Sequence, residues 1–285
     1  DGDGDLDLVV GRGFDGGTEF SYFENTGSST QPVYVRRDGG DNPFDGLSVS
    51  DRGFSLSTPE LVDLDGDGDL DLVSGSSFDG LFYFENLGSA TNPIYVSREG
   101  SANPFDGLIQ PFNFDETFPQ FIDYDRDTDL DLVIGGEGFS NEGQFRYYEN
   151  TGSTTSPSFT ERTGSSNPFS DVEPFGSLPK PFFIDVDSDG DLDLLSSGGR
   201  SNSTFEYFEN TGSDSNPSYV RRTGVQDPFV CLGPGFGGED AVDLDGDGDL
   251  DFVSVAPRIN EFGDVEGNRL IVYSNGSVQP PLPVE

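Results

Sequence analysis

Nine consecutive residues, Asp63-Leu64-Asp65-Gly66-Asp67-Gly68-Asp69-Leu70-Asp71, place a carboxylate at every second position. The pattern returns as Asp123, Asp125, Asp127, Asp129 and Asp131, then as Asp185, Asp187, Asp189, Asp191 and Asp193, and then as Asp243, Asp245, Asp247, Asp249 and Asp251. A shorter copy, Asp1, Asp3, Asp5 and Asp7, opens the chain. Carboxylates this dense raise one another's cost of ionisation. A hard divalent cation removes that cost, and Ca2+ accepts about six to eight oxygens in an adaptable shell. In this reading Asp63, Asp65 and Asp67 supply side chains and Asp69 its main-chain carbonyl, and Asp71 closes the shell from the start of the next strand. The expectation is about one Ca2+ per copy. Gly68 falls where the loop must bend sharply, in a conformation that glycine adopts without penalty. An EF-hand would need a bidentate Glu at its last position and helices on both sides. Here Leu70, Leu72 and Val73 follow with the alternation of a strand instead.

Catalysis has little to work with. The chain has no histidine, so a Ser-His-Asp triad and most zinc sites are ruled out. Paired carboxylates for glycoside hydrolysis have no distinguishing spacing, and nearly half of the 54 acidic residues belong to the loops just described. The chain is therefore read as a non-enzyme. A formal net charge of -40 excludes nucleic acid and anionic membrane surfaces as electrostatic partners. The single cysteine, Cys231, excludes an internal disulfide framework and reads as a small buried apolar residue. No apolar run approaches transmembrane length. The sequence opens inside a motif and without Met, so its true N-terminus is read as missing or processed, and the lack of a visible signal peptide carries no meaning. The acidity suits a calcium-rich saline medium, hence an extracellular, secreted or cell-surface setting.

The elements that carry the loops repeat with them. Equivalent residues Asp1, Asp65, Asp125, Asp187 and Asp245 divide the chain into five repeats, approximately 1-50, 51-111, 112-172, 173-232 and 233-285, within a single domain spanning 1-285. The best-formed copy reads as four strands: near Thr58 to Asp63, Leu70 to Ser74, Leu81 to Asn86 and Ile94 to Arg98. Gly, Asn, Ser and Pro punctuate each junction, as short antiparallel connections require. Four short strands per repeat of about this length predict an all-β fold, a β-propeller of four-stranded antiparallel blades.

The runs Phe121-Ile122-Asp123-Tyr124-Asp125, Asp129-Leu130-Asp131-Leu132-Val133-Ile134-Gly135 and Phe145-Arg146-Tyr147-Tyr148-Glu149-Asn150-Thr151-Gly152-Ser153 carry a resemblance. With Pro157-Ser158-Phe159, this unit resembles the FG-GAP/VCBS repeat, found in the calcium-binding blades of integrin α-subunit propellers and of several propeller lectins. The likeness extends over essentially the whole chain. The name-giving Phe-Gly and Gly-Ala-Pro cores are not literally present, with Val255-Ala256-Pro257 the nearest echo. The resemblance implies seven blades, so the five visible repeats imply either a closed five-bladed ring or part of a larger one. It also implies one of two roles. The first is an adhesion or structural module that binds a protein partner or copies of itself. The second is a calcium-dependent glycan-binding lectin. The absence of tryptophan, the strongest sugar-stacking side chain, favours the first.

Other recurring residues have structural readings. Glu24, Glu85, Glu149 and Glu209 end the third strand of successive repeats, and Arg37, Arg98, Arg162 and Arg222 end the fourth. They are expected to pair across strands and hold register. The Asn-Pro-Phe runs at 42–44, 103–105 and 167–169 are expected to be turns with a buried Phe. Asn202 and Asn275 begin N-glycosylation sequons. Among the loops, the one from Asp123 to Asp131 is expected to be the weakest complete one. Thr128 stands where the others carry glycine, and Arg126 adds a positive charge near the ion.

Overall fold

The computed structural model describes residues 1–11, 20–49, 56–77, 80–108, 116–137, 142–174, 176, 178–198, 204–213, 216–229, 240–242, 251–259, 265–274 and 277–278, the last four stretches by their backbone alone. It is an all-β propeller built of sheets that follow one another along the chain. The first repeat forms β1 (Leu8–Val10), β2 (Ser21–Asn25) and β3 (Tyr34–Arg37). The second forms β4 (Thr58–Val62), β5 (Asp71–Gly75), β6 (Leu81–Asn86) and β7 (Tyr95–Arg98). The third forms β8 (Thr117–Ile122), β9 (Asp131–Glu137), β10 (Gly143–Asn150) and β11 (Phe159–Arg162). The fourth forms β12 (Lys180–Ile184), β13 (Asp193–Gly198), β14 (Thr204–Asn210) and β15 (Tyr219–Arg222). The fifth forms β16 (Asp240–Val242), β17 (Asp251–Ile259), β18 (Val265–Ser274) and β19 (Ser277–Val278). Strand order is sequential and antiparallel in each sheet. Four blades are thus four-stranded, not five as the repeat count suggested. The first repeat has no segment in this sequence that corresponds to Thr58–Val62, and its sheet has three strands.

Composition explains the layering. The leading strands β4, β8 and β12 carry Pro59, Pro119 and Pro181, which donate no ladder hydrogen bond and so belong at a sheet edge. These edges pack on one another, β4 against β8 and β8 against β12, so the leading strands are where neighbouring blades meet. The second strands are covered on both faces, and every residue of β5 and β9 is buried. Their Leu-Val and Leu-Val-Ile runs are what a strand buried on both faces requires.

Aromatic rings join the blades. Phe44 stacks on Tyr95 of the next repeat at 4.9 Å, Phe105 on Phe159 at 5.2 Å, and Phe169 on Tyr219 at 5.5 Å. Each comes from an Asn-Pro-Phe turn and is buried, as the sequence predicted. The asparagine shapes the turn. Asn42, Asn103 and Asn167 accept the Phe N–H at 3.0, 2.9 and 3.0 Å. Their side-chain amides donate back to Phe20, Leu81 and Phe145 carbonyls of their own blades. Burying each ring fully contributes about 1.5–3 kcal/mol, so these turns hold successive blades together. Among the described residues no helix is long and apolar enough to cross a membrane.

Candidate metal centre

In the second, third and fourth repeats the acidic loop leaves the leading strand of the blade and enters the second. Short hydrogen bonds curl it: Asp67 N–H donates to Asp65 Oδ1 at 3.2 Å, Asp69 N–H to Asp67 Oδ1 at 3.0 Å, and Gly68 N–H to Asp63 Oδ2 at 3.1 Å. Such bonds turn alternate carboxylates towards one centre. In three described loops a ligand oxygen from each of the first three aspartates lies within 4.8 Å of the others: Asp63, Asp65 and Asp67; Asp123, Asp125 and Asp127; Asp185, Asp187 and Asp189.

The sixth loop position needs the left-handed conformation. Gly68 and Gly190 hold φ of 97° and 99° there, and Thr128 is forced to 85°. The third loop nevertheless closes, with Thr128 N–H donating to Asp123 Oδ2 at 3.2 Å. Left-handed geometry costs a residue with a Cβ about 1–2 kcal/mol. Arg126 Nη2 reaches 3.5 Å from the Gly190 carbonyl of the neighbouring loop, so its guanidinium is directed towards the next blade.

Two loop positions present an oxygen that is buried and without a hydrogen-bond donor. They are Asp63 and Asp123 at the first position, and Asp5, Asp69 and Asp129 at the seventh, each through Oδ1. A buried carboxylate oxygen with no donor is costly. Burial and the neighbouring aspartates together hold the Asp65, Asp69, Asp125 and Asp129 carboxyls above their ordinary pKa. This donor set consists of oxygens alone, arranged around an uncompensated negative charge. It fits a hard divalent cation such as Ca2+ and offers nothing to a soft metal. At the seventh position, where the sequence suggested a carbonyl ligand, the buried and unpartnered group is the carboxylate.

The ninth position has hydrogen-bond partners within the protein. Asp71 is 1% exposed and accepts three hydrogen bonds, from Tyr83 Oη at 2.9 Å, Asn86 N–H at 2.8 Å and Leu64 N–H at 3.3 Å. Asp131 accepts from Tyr147 Oη and Asn150 N–H, both at 2.7 Å, and Asp193 from Tyr207 Oη at 2.9 Å and Asn210 N–H at 2.7 Å. Asp7 repeats the arrangement with Tyr22 and Asn25. Burial pushes the Asp71 and Asp131 carboxyls up to about 6. This aspartate therefore ties its loop to the third strand. The tyrosine was missed in the sequence reading, although its signal is there: Tyr stands two residues before each third-strand Glu, where the other aromatic positions vary.

The Glu–Arg residues behave as expected. Arg37, Arg98, Arg162 and Arg222 donate through Nε to Glu24, Glu85, Glu149 and Glu209 at 2.7, 2.6, 2.7 and 2.7 Å. Each pair bridges the third and fourth strands diagonally, two residues out of direct register. Asp243, Asp245, Asp247, Asp249, Cys231, Asn202 and Asn275 lie outside the described residues, and Asp251 is described by its backbone at the start of β17.

The FG-GAP-like repeat family matches residues 123–196, from the first aspartate of the third loop through the fourth loop into β13. No curated protein matches the chain.

Proposed function

We propose that this FG-GAP-repeat β-propeller is a calcium-stabilised interaction module that works outside the cell, in adhesion or in a structural assembly, by presenting its faces to a protein partner. The observation that carries the reading is the repeated carboxylate cluster, with its buried and unpartnered oxygens at Asp63, Asp69, Asp123 and Asp129. In the three complete described loops the first three aspartates and the one at the seventh position would hold the ion. The ninth, already held by Tyr, would set the loop's height above the sheet. Bound Ca2+ would offset part of the cluster's charge and lock the leading and second strands together. The role is scaffolding: FG-GAP propellers are typically non-catalytic interaction folds, and nearly half of the acidic residues are committed to the loops. The blades would close as a ring by themselves, or the repeats would form part of a seven-bladed one.

A lectin would need an exposed aromatic platform beside polar groups. Among the described residues the exposed large hydrophobics are all aliphatic, and that weighs against it. A glycan array probed with calcium and again with chelator tests the choice. The interaction-module reading expects no saturable glycan signal. A sugar retained only with calcium would transfer the function to the lectin class.

A further inference from the structure

Among the described residues five of the seven exposed large hydrophobics fall on the first two repeats, and the other two, Val220 and Val225, lie apart on the fourth. Leu6 and Val33 of the first repeat are 46% and 50% exposed, and Leu70, Leu87 and Ile94 of the second are 48%, 53% and 54% exposed. The last three crowd one end of the second blade. Leu87 N–H donates to the Ile94 carbonyl at 2.9 Å, and the Asn86 side chain donates to the Leu70 carbonyl at 3.3 Å. The first repeat adjoins them, because a Cβ added at Gly2 would run into Thr91 of the turn that leads to Ile94.

Leucine stands at the position of Leu6 and Leu70 in every repeat, but at the positions of Ile94 and Leu87 the other blades show that the fold does not demand an aliphatic side chain. The residue equivalent to Ile94 donates its N–H to the turn asparagine at 2.9 Å in each of the first four repeats, whether it is Val33, Ile94, Ser158 or Ser218. Serine serves as well as isoleucine. The position of Leu87 is more telling. Thr26, Thr151 and Thr211 occupy it elsewhere, and their hydroxyls donate to the facing carbonyl at 3.1, 3.0 and 3.0 Å. The second blade forgoes that bond and puts a half-exposed leucine in water. Clustered exposure of this kind marks a contact surface, where isolated apolar residues would need no explanation.

Charge identifies the occupant. The patch lies beside two acidic loops, Asp1 to Asp7 and Asp63 to Asp71. The adjacent guanidiniums of Arg36, Arg37 and Arg98 are held by Asp38, Glu24 and Glu85. One divalent ion per loop leaves each loop negative. A second copy of this chain, at a net charge of -40, would be repelled. We infer that Leu6, Val33, Leu70, Leu87 and Ile94 form a docking surface for a partner segment that combines aliphatic and basic side chains. The inference rests on the interaction-module reading and names the face that this module uses.

The test compares the parent with a Val33→Ser, Leu87→Thr, Ile94→Ser variant. It introduces only residues that other blades already carry at these positions and leaves every charge in place. The probe is a synthetic peptide of alternating leucine and lysine, with a leucine–glutamate peptide as control. The lysine peptide is expected to bind the parent, to retain binding at high salt where pure charge attraction is screened, and to bind the variant at least tenfold more weakly. The glutamate peptide is expected not to bind. Equal affinity for parent and variant, or no binding to the parent, overturns the inference. So does a dimer in sedimentation that the variant abolishes, because the occupant is then a second copy. Thermal midpoints of both proteins with calcium and with chelator, read alongside, report on the calcium reading separately from the docking surface.

Discussion

Replacing Tyr83 by Phe removes one hydroxyl and leaves the packing of the ring unchanged. The hydroxyl donates at 2.9 Å to Asp71, a carboxylate that is 1% exposed. Hydrogen bonds to charged groups contribute about 1.5–3 kcal/mol, and leaving a buried acceptor short of a donor adds to the loss. Two features hold the effect to the middle of that range. Asp71 keeps the N–H groups of Asn86 at 2.8 Å and Leu64 at 3.3 Å. The Phe ring would keep its edge contact with Phe105, at a centroid distance of 6.2 Å. Tyr83→Phe is therefore expected to destabilise the metal-free protein by about 2 kcal/mol, or about 3–4 °C in thermal midpoint for a chain of this size. Urea unfolding followed by circular dichroism measures it, and Tyr147→Phe and Tyr207→Phe provide repeats of the same experiment in other blades. The penalty should shrink below about pH 6, because a protonated Asp71 has less charge to satisfy. A loss under about 0.5 kcal/mol at neutral pH would show that the Tyr–Asp bond is incidental.

Thr128→Gly should relieve the left-handed strain at φ 85° and, net of glycine's greater unfolded freedom, stabilise by about 0.5–1 kcal/mol. Calcium titration should then show the third loop binding more tightly than in the parent, and unchanged affinity would mean that the turn tolerates threonine. Arg98→Ala should cost on the order of 1 kcal/mol or less, since the pair it breaks with Glu85 is partly exposed, and a larger loss in urea unfolding would give that pair a weightier role. Because the folded state holds the Asp71 and Asp131 protons at about 6, above the unfolded value of 3.8, metal-free protein should gain stability as pH falls through about 6 towards 4. The increment from added calcium should shrink over the same window, as protons compete for the carboxylates; midpoints that fall steadily with pH in chelator would contradict this.

Period and residue type made the blades legible. The alternation in Leu81 to Asn86 and the punctuation after it placed β6 correctly, and the Glu85–Arg98 and Asn103-Phe105 readings followed from spacing alone. The loops were legible as clusters because alternate residues of a tight loop share a side. The partner of each oxygen was not. Asp71 and Tyr83 are twelve residues apart on adjacent strands, and only the sheet register brings hydroxyl to carboxylate. The direction of Arg126 was hidden for a similar reason, since its contact is with Gly190 in another repeat. The apolar patch emerged only when exposure could be compared between equivalent positions, such as Ile94 and Ser158.

The most direct measurement is thermal unfolding of the parent in calcium and in excess chelator, with bound calcium counted in the same samples. Each loop saturated at about 100 times its dissociation constant adds about 2.7 kcal/mol. Three such loops correspond to a fall in midpoint on chelation of about 15 °C or more. Magnesium, which gives up its water reluctantly, should restore little of it. A melting curve unchanged by chelator, with no calcium carried through dialysis, would contradict the account.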